Sequence, residues 1–349
     1  MTIRALTFHG RTDVRYESRP DPTPPDGHGA VLRVERAAIC GSDLHLYHGD
    51  LPVPEGGFAI GHEFVGEVVE VGSAVRDFKT GDRVLCSGVI GCGLCTSCRA
   101  GRVVRCERRQ TRVFGMGAAL PGGQAEAVAV PGADHAFKKI PDGVNVEQAV
   151  LLTDILPTAY YGALQADIRP GHTVAVIGLG PVGLLAVECA QLFGPARVLA
   201  IDRIPERLAQ AKALGAEPVH ADKALEIAMG ANGGMGPDAV IEAVGADATI
   251  QMALAMCRVA GTVSVIGVNM NLAFPFPMPL ALMKDLTFRI GICPIPELWD
   301  ALVPLVQAGR LHPERVFTHH LPLSQGSEAY KIFDEKRDGV LKVLLDPAR

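Results

Sequence analysis

Thr173-Val174-Ala175-Val176-Ile177-Gly178-Leu179-Gly180-Pro181-Val182-Gly183 is the stretch that decides the fold. Five apolar or β-branched residues read as a buried strand, and they run straight into G-x-G-x-x-G. In such a turn the first glycine permits the tight bend. The second lets a pyrophosphate approach the backbone, and the third lets the following helix pack on the strand. A helix over Pro181–Phe193 then offers free N–H groups and a partial positive charge to phosphate. A lone G-x-G-x-x-G recurs by chance in other α/β proteins, so its surroundings matter. The next strand, Arg197–Ile201, is followed by Asp202, about 20 residues on, where a ribose-binding carboxylate belongs. Asp202 would accept bonds from ribose hydroxyls and repel a 2′-phosphate, which favours NAD over NADP. The adjacent Arg203 could instead accommodate a phosphate, stack on adenine or lie in solvent.

Outward from this turn, strands and helices alternate. A helix is expected over Pro205–Leu214, strands over Ala239–Ala243 and Thr262–Ile266, and a helix over Ala248–Cys257 between them. That alternation predicts a doubly wound parallel sheet. The apolar run Thr173–Phe193 is broken by Gly178, Gly180, Pro181, Gly183 and Glu188, so it reads as strand-turn-helix rather than a membrane span. Upstream of about residue 150 the chain reads as short strands: Thr2–Phe8, Ala30–Ala38, Glu63–Val71 and Arg83–Cys86. Turn-rich segments lie at Pro20–Gly29 and Gly72–Gly81. A helix is expected from Val146 to about Gln165, interrupted at Pro157. Beyond residue 290 come a helix at Pro296–Gln307 and a strand at Val340–Leu345. The last segment is expected to return to the first domain. The expected organisation is a mostly-β domain over residues 1–154 and 292–349, with the dinucleotide-binding domain over 155–291.

The 349 residues suit two domains, and 48% apolar with 20% charged residues excludes a disordered chain. A net charge of −5 argues against attraction to nucleic acid or anionic membrane. Nine cysteines are the odd feature. Met1-Thr2-Ile3-Arg4-Ala5-Leu6 lacks the shape of a signal peptide, so a reducing cytoplasm is expected, where clustered cysteines bind metal more often than they form disulfides.

Cys92, Cys95, Cys98 and Cys106 follow C-x2-C-x2-C-x7-C. Four thiolates so close in sequence can enclose one tetrahedral zinc, leaving no open position, so this metal would be structural. An iron–sulfur cluster or reactive thiols are the alternatives. Arg99, Arg102, Arg105, Arg108, Arg109 and Arg112 surround this lobe. They read as a solvated face or subunit contact, since aromatics for a nucleic-acid surface are almost absent.

Two further segments carry the open metal site: Cys40-Gly41-Ser42-Asp43-Leu44-His45 and Gly61-His62-Glu63-Phe64-Val65-Gly66, with Gly72 and Val75 beyond. With the four-cysteine lobe, the GLGPVG turn and Asp202 following in order, the whole chain resembles the medium-chain zinc-containing alcohol dehydrogenases. The resemblance implies a GroES-like, mostly-β catalytic domain joined to a Rossmann coenzyme domain, α/β overall. It implies two zinc ions per chain. The catalytic one is held by Cys40, His62 and a third protein ligand; Asp154 stands at the matching position, and Glu63 is the alternative, able to exchange onto the metal. Asp43 would orient His62, or simply form a turn. An open position on such a metal activates an alcohol hydroxyl for hydride loss to nicotinamide. The resemblance assigns the proton relay to Ser42, which passes the proton to the nicotinamide ribose, and then to His45, which delivers it to solvent; nearby His48 is the residue that could be confused with His45. The expected cofactor contacts are Gly178, Gly180, Pro181, Val182 and Gly183 at the turn, then Asp202, Arg203 and Arg207. Val244, Ile266, Gly267 and Val268, at the ends of later strands, complete them.

The family often has a bulky pocket residue four positions before the first lobe cysteine. Gly88 stands there, which implies a wider pocket. The segments Asp154–Gly162 and Gly122–Glu126 resemble the branch of formaldehyde and bacterial secondary-alcohol dehydrogenases. The expected reaction is NAD-linked oxidation of a secondary alcohol or polyol, or the reverse. A zinc-free quinone reductase of the same fold would lack the metal ligands, and a zinc-ribbon interaction protein would not need Cys40, His62 and Asp154. The expected partners are a small alcohol or carbonyl substrate and further copies of the chain, as a homodimer or homotetramer, with no nucleic acid and no membrane. Cys86, Cys189, Cys257 and Cys293 read as buried small hydrophobes.

Overall fold

The computed structural model describes residues 1–51 and 56–348. The chain divides into two compact units, Met1–Pro157 with Cys293–Arg349, and Thr158–Ile292. The first unit opens with β1 (Thr2–Gly10), β2 (Asp13–Pro20), β3 (Ala30–Ala38), β4 (Phe58–Ala59) and β5 (Glu63–Val71). It continues through β6 (Arg83–Cys86), β7 (Val89–Ile90), β8 (Arg112–Val113), β9 (Ala127–Val130) and β10 (Phe137–Lys139). The second unit holds β11 (Thr173–Ile177), β12 (Arg197–Asp202), β13 (Glu217–His220), β14 (Ala239–Glu242), β15 (Thr262–Val265) and β16 (Thr287–Ile290). The first unit then regains β17 (His319–Pro322) and β18 (Val343–Asp346).

The main sheet of the first unit runs β10-β6-β5-β3-β18-β17, with β9 also on β3. Its strands are half-buried and alternate, as β3 does: Leu32 and Val34 are buried while Arg33 is exposed. The register places Ala38 of β3 opposite Glu63 of β5, and Leu344 of β18 opposite Ala38. Three strand ends therefore meet at one place. Further along the same pair Gly66, opposite Val34, permits close approach of β3 and β5, because a Cβ on it would lie 2.1 Å from the Arg33 carbonyl oxygen. Phe64 packs edge-on to Phe114 with centroids 5.2 Å apart, within a core that also buries Phe58 and Tyr330.

The second unit is a six-stranded parallel sheet in the order β13-β12-β11-β14-β15-β16. β11 and β14 are buried along their length, as a sheet covered on both faces requires. The expected helix across residues 146–165 is two helices, Val146–Leu151 and Ile155–Gln165. The break falls before Pro157 rather than at it. Pro157 sits in the first turn of the second helix, where a missing N–H costs nothing. Asn145 and Gln148 close a capping box at the start of the first helix. No helix among the described residues is long and apolar enough to cross a membrane.

Candidate active site and metal centres

Cys40 lies just beyond β3, His62 and Glu63 at the start of β5, and Asp154 in the turn between the two helices. One ligand atom from each comes within 4.8 Å of the others. Asp154 Oδ2 is 3.5 Å from Cys40 Sγ and 3.2 Å from His62 Nε2. A tetrahedral zinc with ordinary bond lengths would set such S–O and N–O pairs about 3.6 and 3.4 Å apart, so the donors suit it.

Asp43 opens the helix Asp43–His48 and is buried. Its Oδ1 is 3.1 Å from His62 Nδ1, which leaves Nε2 facing the cluster. Its Oδ2 accepts from the Cys40 N–H at 3.0 Å and from Gln124 Nε2 at 3.2 Å. Asp43 therefore faces the His62 ring and shapes the Cys40 turn. Gln124 is fixed in turn by the Tyr330 hydroxyl at 2.9 Å.

The electrostatics favour a cation. Burial alone would depress His62, but Asp43, Cys40 and Asp154 outweigh it and raise its basicity well above the usual histidine range. Burial, with Glu63 and Asp154 adding to it, pushes the Cys40 thiol up to about 11. Such a thiol needs a positive partner to ionise.

Glu63 is wholly buried and its carboxylate meets Lys342 Nζ at 2.6 Å. Lys342, immediately before β18, is itself buried. The sequence reading missed this lysine. Its signal was present: a lone cation inside the apolar run Val340-Leu341-Lys342-Val343-Leu344-Leu345.

Ser42 Oγ donates to Cys40 Sγ at 3.2 Å and lies 3.2 Å from His62 Nε2. His45 is partly exposed and sets Nδ1 3.2 Å from Asp50. His48 turns away, pairing with Asp334 at 2.8 Å. Among the described residues no side-chain hydrogen bond joins Ser42 to His45.

Gly88 does not open a pocket. It is buried, and a Cβ on it would lie 2.6 Å from the His62 carbonyl oxygen. The missing side chain makes room for the His62 backbone, so the wider pocket expected from Gly88 is corrected.

The four lobe sulfurs also gather within 4.8 Å. Cys92 and Cys98 Sγ are 3.9 Å apart, close to the roughly 3.8 Å edge of a tetrahedral zinc–thiolate site. The N–H groups of Leu94 and Cys95 donate to Cys92 Sγ, and that of Cys98 to Cys95 Sγ. Burial opposes ionisation of Cys106, yet the N–H groups of Gln110, Cys92 and Arg108 pull its thiol down to about 6. Arg102 pairs with Glu297 at 2.7 Å, while Arg105, Arg108, Arg109 and Arg112 are exposed.

In the second unit Gly178 adopts a positive φ, and a Cβ on it would lie 2.3 Å from Val244 Cγ2. A Cβ on Gly183 would meet the Gly178 carbonyl oxygen at 1.7 Å. Packing thus requires both glycines. Gly180 is different: a Cβ there would meet nothing within 4 Å. It caps the helix Pro181–Gln191, whose second residue is Val182, and leaves open space beside that helix start. Asp202 accepts from the backbone N–H of Leu179 at 2.7 Å, Arg203 at 2.6 Å and Ile204 at 3.0 Å. It therefore ties the glycine turn to the end of β12. Arg207 stands 3.8 Å from it, and Arg203 is exposed. Val244 and Val268 are half exposed beyond β14 and β15, next to Ile266 and Gly267.

Residues 26–142 match the alcohol dehydrogenase GroES-like domain, and residues 181–308 the zinc-binding dehydrogenase family. The chain is 43% identical over 345 residues to a protein of Mycobacterium tuberculosis named as a zinc-binding alcohol dehydrogenase, covering 99% of this chain and 89% of that one. Among solved structures, alcohol dehydrogenase TADH from Thermus sp. ATN1 superposes with TM-score 0.91 at 44% identity, over 98% of this chain and 99% of that one. 2R,3R-butanediol dehydrogenase from Bacillus subtilis gives TM-score 0.85 at 27% identity, over 99% of each. A Sinorhizobium meliloti zinc-binding dehydrogenase bound to NADP gives TM-score 0.84 at 29% identity, over 99% of this chain and 100% of that one. An Escherichia coli alcohol dehydrogenase complexed with NADH gives 0.87 at 26%, over 99% of each.

Proposed function

The chain belongs to the medium-chain zinc-containing alcohol dehydrogenases, and from that premise we propose that it transfers hydride between a secondary alcohol or polyol and NAD, using one catalytic and one structural zinc. It is an oxidoreductase of alcohols and aldehydes with a nicotinamide nucleotide as cofactor. The observation that carries the finer reading is the buried convergence of Cys40, His62 and Asp154, with Glu63 beside them.

The chemistry that zinc supplies in such a site is Lewis-acid polarisation of a substrate oxygen. The remaining work falls to the chain. Cys40, His62 and Asp154 are the ligands, and Asp43 holds the His62 ring so that Nε2 faces the metal. Glu63 is the alternative ligand. Its ion pair with Lys342 favours Asp154 as the resting one. Ser42 Oγ, beside Cys40 and His62, is the hydroxyl placed to take the substrate proton as it gives up its own, and the partly exposed His45 is the base assigned to release a proton to solvent. Cys92, Cys95, Cys98 and Cys106 hold the structural zinc.

Gly178, Gly180, Pro181, Val182 and Gly183 receive the pyrophosphate. Asp202 accepts three backbone N–H bonds and keeps about one of its four lone pairs, on Oδ2, for an adenosine ribose hydroxyl, which favours NAD over NADP. Arg203 and Arg207 flank that site. The secondary-alcohol preference leans on the likeness to the butanediol enzyme. The nine cysteines are free in the structure, which suits a reducing cytoplasm.

Metal analysis tests the two-site proposal. The purified chain should carry about two zinc ions, with Cys40→Ser losing one and activity, and Cys92→Ser losing the other. One zinc in the parent, or undiminished alcohol oxidation after Cys40→Ser, overturns it. Comparing kcat/KM for NAD and NADP on the same preparation decides the cofactor.

A further inference from the structure

Glu242, the last residue of β14, is wholly buried in the second unit, yet no residue of the fingerprint refers to it. Its side chain gathers the turn that follows. Oε1 accepts from the N–H of Val244 at 2.9 Å, from the N–H of Gly245 at 3.0 Å and from the Thr249 hydroxyl at 2.8 Å. Its own carbonyl oxygen gathers the neighbouring strand end, accepting from Ile266 N–H at 2.8 Å and Gly267 N–H at 3.1 Å. One residue thus binds the loops after both β14 and β15.

Those loops touch backbone to backbone. A Cβ on Gly267 would lie 2.1 Å from the Gly245 nitrogen, and one on Gly245 would lie 2.3 Å from the Val268 carbonyl oxygen. The Gly245 carbonyl is held from the other side by Asn269 Nδ2 at 2.9 Å, and Asn269 also bonds Asp247 at 2.7 Å. The resulting shelf leaves the Val244 and Val268 side chains half exposed at the carboxyl ends of parallel strands, where open α/β sheets bind ligands.

The strand order says which part of a dinucleotide meets this shelf. The glycine turn follows β11, and Asp202 ends β12 on one side of it. An adenosine lying over β12 and a pyrophosphate over β11 leave the other nucleoside to extend over β14 and β15. Burial pushes the Glu242 carboxyl above the usual glutamate range, against the pull of Thr249, Gly245 and Val244. A buried acid held only by local N–H groups and one hydroxyl, with no cation, is costly to keep, and shaping these loops accounts for it.

We infer that Glu242 is a positioning residue for the nicotinamide half of the cofactor, acting through the Val244–Gly245 and Ile266–Val268 backbone. This rests on the dinucleotide reading above. NADH and ADP, which lacks the whole nicotinamide nucleoside, separate the two. Calorimetric titration of the zinc-loaded full chain should show Glu242→Ala weakening NADH by about tenfold, as orphaned buried N–H groups displace the shelf. ADP should bind within about twofold of the parent, because its contacts lie on β11 and β12. Glu242→Gln keeps an acceptor oxygen at the same reach and should restore most of the NADH affinity. If Glu242→Ala does not fold, Asn269→Ala releases the Gly245 carbonyl instead and should give the same selective loss. Equal weakening of both ligands, or of neither, overturns the inference. A parent that binds neither ligand overturns the dinucleotide reading itself.

Discussion

Lys342 shows what a single residue decides here. It is a cation wholly buried against a buried carboxylate, 279 positions away in sequence. Burial disfavours the charged lysine, but Glu63, Cys40 and Asp154 overcome it and hold its ammonium above the usual lysine range. Removing one member of such a pair leaves the other charge buried and uncompensated, at about 3–5 kcal/mol. Lys342→Ala should therefore lower the stability of the chain by about that much in denaturant titration. Lys342→Arg keeps the charge and should recover part of it. A loss under about 1 kcal/mol for Lys342→Ala would show that Glu63 finds another partner. The lobe cysteines were legible from their spacing, and Cys40, His62, Glu63 and Asp154 through the resemblance to the family's pattern. Lys342 was not, because its partner is supplied only by the pairing of β18 with β3 and of β3 with β5.

At the scale of elements, the alternating strands and helices of the second unit could be read from hydrophobic pattern. Asp238 could not, although it secures the start of the sheet. It accepts from the Thr173 N–H at 2.8 Å, Asn232 Nδ2 at 3.0 Å and Arg258 Nε at 2.8 Å. It so joins the first residue of β11 to the Asn232 turn, whose backbone has a positive φ, and to Arg258. Burial raises the Asp238 pKa, but those three donors together bring it below the ordinary aspartate value. A depressed folded-state pKa gives stability that is present above the unfolded value, about 3.9, and lost as pH falls through the folded one. Asp238→Asn should therefore destabilise the chain at neutral pH by about 1–3 kcal/mol, since its NH2 faces donors. The gap between parent and variant, followed by urea unfolding, should be constant from pH 7 to 5 and narrow below about pH 4. A gap independent of pH would remove Asp238 ionisation from the account. The same limit of pattern reading explains the misplaced break near Pro157. Proline marks where a helix cannot continue, but in the first turn it marks where one has begun.

At the scale of the whole molecule, the parallel sheet ends in β16, with β15 on one side and no strand partner among the described residues on the other. Its side chains are largely exposed, Ile290 at 57%, and Ile292 just beyond is 58% exposed. The neighbouring helix Met278–Met283 buries none of its residues and leaves Leu282 and Met283 about as open as in an extended chain, at 78% and 80%. A free edge flanked by apolar side chains is a template for another strand, and single chains normally blunt such edges with charge, proline or a covering helix. Arg289 is the one charge within β16. A second copy of the same edge would be a self-complementary occupant, since a two-fold axis beside β16 would pair it antiparallel with itself. The expected homodimer or homotetramer would then be built on this contact. Light scattering after gel filtration should find the parent as an even-numbered oligomer at micromolar concentration, and Ile290→Lys with Leu282→Lys should shift it to smaller species. Binding of ADP-ribose should survive in the double variant, because the glycine turn and Asp202 lie on the opposite half of the sheet. A monomeric parent, or an oligomer indifferent to both lysines, would move the interface elsewhere, and the arginine-rich face around Cys106 would be the next surface to test.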